Sequence, residues 1–184
     1  MRRIAFAVAM LSALALGACS SGGSVFNTGG GAQHTIVTAS GSSALARVLP
    51  GGSIPLSATA VSGSQNGYST NNQFTWSAAL TTGLSYQYTT DGNAWKPCAS
   101  VSQTIGGTTT PYTADFSIYV TIDPSNESNV IFSPPPIIPA PPGGTIATNY
   151  PYCVVVSATP VQGGGSNSTG SITVVVANPL NPLQ

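Results

Sequence analysis

The side chains able to do chemistry are few and scattered. Beyond the first 18 residues the sequence has four carboxylates (Asp91, Asp115, Asp123 and Glu127), two cations (Arg47 and Lys96) and one histidine, His34. Three cysteines complete the set: Cys19, Cys98 and Cys153. Acid–base or nucleophilic catalysis needs such groups within hydrogen-bond reach of one another. His34 stands where a Ser/Gly tract meets the first patterned segment and reads as a solvated side chain, which leaves a serine triad without its base. Two carboxylates suffice for glycoside hydrolysis. Here, though, Asp91 belongs to a turn signal, and Asp123 and Glu127 to the polar stretch "DPSNESN". That stretch groups oxygens as a calcium loop would, but it lacks the twelve-residue EF-hand pattern, and an Asx-type turn opened by Asp-Pro is the plainer reading. The expectation is a chain that is not an enzyme, with no catalytic residues, no metal and no cofactor.

Cys19 has a distinct setting. Arg2 and Arg3 precede an apolar run, "IAFAVAMLSALALGA", that is shorter than the roughly 20 residues needed to span a bilayer. A charged start, a short apolar centre and small residues at its end make a secretory signal over residues 1–18. "LGAC" resembles the lipobox of bacterial lipoproteins. The resemblance implies cleavage after Ala18 and a lipid-modified Cys19. The alternative is an ordinary signal with an incidental thiol. One acyl chain holds a protein only reversibly, so stable anchoring takes two or more. Ser20, with no Asp at that position, resembles cargo passed to the outer membrane of a two-membrane bacterium. In a single-membrane host the chain would stay on the outer cell face.

Without the leader, two cations face four anions, a net of −2. Such a surface has no basic patch to displace counterions from phosphates, which argues against nucleic acid as a partner. The expected partners are the membrane, through the lipid, and an envelope protein or glycan.

The organisation follows from composition and period. Residues 19–32 form the lipidated cysteine and a flexible Ser/Gly tether. Residues 33–178 form one all-β domain, and 179–184 a short tail. Alternation with period two predicts strands with one buried face. In "SIPLSATAV" it groups Ile54, Leu56, Ala58 and Ala60, and in "QFTWSA" Phe74, Trp76 and Ala78. "DFSIYVTI" aligns Phe116, Ile118, Val120 and Ile122, with Tyr119 pointing the other way, to solvent or under a loop. "YCVVVSAT" and "SITVVVAN" are apolar on both faces and suit the middle of a sheet. Pro55 cannot donate a ladder bond and belongs at a strand start or edge. "PGG", "NG" and "DG" mark turns, and "SYQYTTDGNAWKP" reads as a hairpin. The Pro-rich segment 133–144 is expected to be a stiff, extended connection between two strands. Together these signals predict an antiparallel β-sandwich.

"VLPGGSIPLSATAV" followed by "FTWSAA", with "YCVVVSATPV" and "GSITVVVAN" as the closing strands, resembles the bacterial immunoglobulin-like domains, especially group 2. The resemblance implies an immunoglobulin-like sandwich with a long central insertion, and a scaffold role that transfers no binding residues.

Export would place Cys98 and Cys153 where disulfides persist. Their pairing is expected, with two buried free thiols as the alternative. Trp76 precedes both cysteines, unlike the antibody order. With Cys153 outward, the bond would pin a loop to a sheet rather than cross the core. Tyr86, Tyr88 and Trp95 remain as a ligand candidate: on one face of the hairpin, their rings would stack against sugars or a protein. Covering the edge of a sheet is their plainer role. Two functions therefore compete: a lipid-anchored, non-catalytic domain for protein interaction or spacing, and a carbohydrate-binding module.

Overall fold

The computed structural model describes residues 24–25, 34–39, 46–61, 73–87, 95–161 and 169–180. In chain order its strands are β1 (Ser24–Val25), β2 (His34–Ala39), β3 (Arg47–Val48), β4 (Ile54–Val61), β5 (Phe74–Leu80), β6 (Ser85–Gln87), β7 (Trp95–Pro97) and β8 (Val101–Ile105). They continue as β9 (Thr108–Pro111), β10 (Ala114–Asp115), β11 (Val120–Ile122), β12 (Asn129–Phe132), β13 (Gly144–Thr148), β14 (Tyr152–Pro160) and β15 (Gly170–Val176). A short 3-10 turn spans Ser117–Tyr119.

Two sheets form the sandwich. One has the order β11-β12-β4-β2; the other runs β1-β15-β14-β5-β10, with β3 also on β15. Taking β2, β4, β5, β11, β12, β14 and β15 as strands A to G gives A-B-E-D facing C-F-G, the strand order of the immunoglobulin sandwich. β1 and β3 share the free edge of β15, β1 antiparallel near Ile172 and β3 parallel near Val175. Ser24–Val25 lies inside the stretch read as a tether, so part of that stretch is a strand. The leader, Cys19 and the rest of the tether lie outside the described residues.

The alternating segments bury the faces their period predicts. Ile54, Leu56, Ala58 and Ala60 of β4 meet Phe74, Trp76, Ala78 and Leu80 of β5 in one core with Val154, Val156 and Val174. Fully burying a Val, Leu, Ile or Phe side chain contributes about 1.5–3 kcal/mol. β14 and β15 are central, as their apolar runs require. Pro55 is the second residue of β4, and its missing N–H faces the β2 side, beyond the last pair there, Ala39–Leu56.

"DFSIYVTI" departs from the period-two reading. It is not one strand. β10 pairs with β5, β11 pairs with β12 in the opposite sheet, and the 3-10 turn carries the chain between them. The Asp115 carboxylate accepts the Ser117 N–H at 2.8 Å, and the Ser117 hydroxyl accepts the Ala78 N–H at 3.1 Å. These local bonds outcompete a continuous ladder. Phe116 is therefore buried while Ile118 is 82% exposed. Tyr119 turns back onto Phe116, edge to face at 5.1 Å, and is half-buried against the core.

Between β5 and β14 the chain adds two small sheets, β6-β7 and β13-β8-β9. Gly106 and Gly107 both have positive φ and close the β8–β9 hairpin, the geometry of a two-residue type I′ turn. Residues 133–143 join β12 to β13. There the Pro134 carbonyl accepts the Gly51 N–H at 2.9 Å, seating the Pro-rich connection on the "PGG" turn.

Candidate interaction surface

β14 presents Val154 and Val156 to the core and Cys153 to its other face, because successive side chains alternate. There Cys153 is bonded to Cys98 and packs with Tyr86 and Val175, with Leu84 and Cys98 beside them. The disulfide thus fastens the β6–β7 hairpin to the outside of the larger sheet. The Cys98 N–H donates to the Leu84 carbonyl at 2.8 Å, closing the hairpin at the same level.

The hairpin forms as its sequence suggested, but its aromatic residues do not share a face. Tyr86 pairs with Lys96, and Trp95 with Gln87. Directly opposed residues point the same way and neighbours point apart, so Tyr86 and Trp95 lie on opposite faces. Tyr86 is 4% exposed, beneath the hairpin against Cys153; Trp95 is 64% exposed. Tyr88 lies outside the described residues. The ring platform expected of Tyr86 with Trp95 is not formed, because Tyr86 is spent on packing the disulfide.

A different surface opens on the outer face of the four-stranded sheet. A groove of about 490 Å³ runs over Pro55 and Ser57 of β4, Asn129 and Ile131 of β12, Thr121 of β11 and Asp123 just beyond it. Cross-strand pairing aligns Pro55 with Ile131 and Ser57 with Asn129, whose side chains are joined by a 2.8 Å hydrogen bond. Ile131 is nearly half exposed, and Thr121 opposite it shares its face, whereas Ile122 pairs with buried Val130 and directs its side chain to the other face. Among the lining residues Asp123 carries the charge. The Ser125 hydroxyl and amide donate to its carboxylate and hold its pKa below the usual value.

Comparison of the chain with protein-family models, with curated proteins and with solved structures returns no match.

The "DPSNESN" loop is a pair of Asx-type turns. Asp123 Oδ1 accepts from Ser125, and Asn126 Oδ1 accepts the Ser128 amide and hydroxyl at 3.2 and 2.6 Å. These two side-chain oxygens are thus engaged within the loop. Among the described residues no group of three or more His, Cys, Asp or Glu side chains is placed to hold a metal ion. Asp115 caps the 3-10 turn, and His34 opens β2. Among the described residues no helix is long and apolar enough to cross a membrane.

The groove escaped the sequence reading. Its signal was present in "SIPLS" and "NVIF", whose outward positions hold Pro55 and Ile131, but only the pairing of the two strands brings them together.

Proposed function

We propose that this chain is an exported bacterial lipoprotein, anchored through a lipid-modified Cys19, at the outer membrane or cell surface. It holds a non-catalytic immunoglobulin-like domain, akin to the group 2 bacterial kind, that binds or spaces another envelope protein. The Cys98–Cys153 bond supports export, since disulfides persist outside the reducing cytosol. The observation that carries the interaction reading is the groove over Pro55 and half-exposed Ile131, rimmed by Thr121, Ser57, Asn129 and Asp123, because apolar clefts with a polar rim are where partners bury surface. The carbohydrate alternative keeps Trp95 as its exposed ring and has lost Tyr86 to the interior.

A photoreactive residue at position 131, introduced in the producing cells, tests the reading. Recovery of a discrete protein neighbour, absent when the probe sits at exposed Thr59, supports it. Recovery of glycan alone overturns it. Anchoring is read separately, by metabolic labelling with an alkyne fatty acid. Cys19→Ala is expected to abolish both the label and membrane retention, and retention of either would refute the lipid attachment.

A further inference from the structure

Among the described residues nothing pairs with either edge of the three-stranded sheet, and the two edges differ. Val101 accepts the Tyr112 N–H at 2.8 Å, which fixes the phase: Val101, Gln103 and Ile105 direct their backbone groups to β9, and Ser102 and Thr104 direct theirs to β13. On β9 the groups facing away from the sheet therefore belong to Thr109 and Pro111. Proline has no N–H to offer, so that edge is blunted. On β13 the outward groups belong to Gly144, Ile146 and Thr148. The Gly144 N–H is taken by the Pro141 carbonyl at 3.0 Å. Among the described residues nothing guards the N–H and C=O of Ile146 and Thr148 in this way, and β13 contains no charge and no proline.

We propose that β13 is a homotypic docking edge, where a second copy of this chain pairs antiparallel about a two-fold axis at Ile146. In this register Ile146 exchanges both backbone bonds with its symmetry mate, and Thr148 lies opposite Gly144. The small side chains of Thr145 and Ala147 face each other across the axis. Only Ile146 lies directly opposite its own copy in this register, and a strand carrying charge of one sign would repel its mate; the uncharged GTIAT segment does not. The two sheets become one of six strands, in the order β9-β8-β13-β13-β8-β9, ended on both sides by Pro111.

Sedimentation of the full chain across a concentration series tests this, with Cys19→Ser to remove the cysteine outside the disulfide. A monomer–dimer equilibrium is expected. Thr148→Pro deletes an outward N–H without taking a bond from the β8 ladder, and is expected to weaken the dimer by at least about tenfold with an unchanged thermal midpoint. Ala147→Lys and Thr145→Asp, each alone, are expected to weaken it as well. Combined, they place the introduced lysine of one copy opposite the introduced aspartate of the other and restore association. A chain monomeric at every concentration overturns the proposal. So does a dimer indifferent to Thr148→Pro, or a double variant no tighter than its parents. None of these outcomes bears on crosslinking at Ile131, which reports a different face.

Discussion

The indole N–H of Trp76 donates to the backbone carbonyl of Glu127 at 2.9 Å, and the two residues belong to opposite halves of the sandwich. Trp76 is in β5, whereas Glu127 lies in the loop joining β11 to β12. The ring fills the core and its polar tip holds the loop beside the groove. Trp76→Phe keeps most of the packing and loses the bond. A destabilisation of about 1–2 kcal/mol is expected in urea unfolding. Faster amide exchange at Ser128 and Asn129 would localise the loss.

Removing the Cys98–Cys153 bond should cost far more. Its 55-residue separation corresponds to about 4 kcal/mol in the chain-entropy account. The double serine variant is expected to unfold at markedly lower denaturant and to expose Tyr86. Alkylation of the unreduced, denatured protein should find neither residue reactive.

Gly170 of β15 lies close against Thr35 of β2, in the opposite sheet. A Cβ there would fall inside the van der Waals radius of the Thr35 backbone. Main chain cannot step aside as a flexible side chain can. Gly170→Ala is expected to destabilise by about 1–3 kcal/mol, measured against Gly83→Ala, where a Cβ meets open space and the cost is backbone strain alone.

Tyr152 is buried, and among the described residues its hydroxyl finds no hydrogen-bond partner. Burial, with Tyr150 and Tyr119 nearby, pushes its pKa well above the usual phenol value. The folded chain therefore keeps a proton that the unfolded chain releases near pH 10. Stability from this source is complete below about pH 10 and falls above it, by up to about 1.4 kcal/mol per pH unit. Tyr152→Phe is expected to be neutral or stabilising at pH 7, since it removes an unsatisfied polar group. Its urea midpoint should decline less steeply than that of the native chain as pH rises past about 10.

The core was legible in the sequence where one strand kept one phase. Ile54 to Ala60 and Phe74 to Ala78 point inward as their alternation requires, because burial on one face selects the period. It was not legible at Phe116 to Ile122, where Asp115 and Ser117 supply local hydrogen bonds that end one ladder and begin another. Alternation counted through that point gives false neighbours. "IGGT" carried a hairpin signal in its paired glycines that marks β8 and β9. The groove and the opposite facing of Tyr86 and Trp95 depend on register, which a single strand's sequence does not contain.

β3 lies parallel to β15, joined by Val175 N–H to Ala46 O and Ala177 N–H to Val48 O at 2.8 and 2.9 Å. That arrangement has a mechanical meaning. Traction applied before β3 and after β15, in opposite directions, slides two parallel strands past each other. Both bonds then bear the load together, along the strands, rather than opening one after the other as a hairpin does when peeled. A domain held just ahead of β3 and pulled beyond β15 would thus load these two bonds in shear.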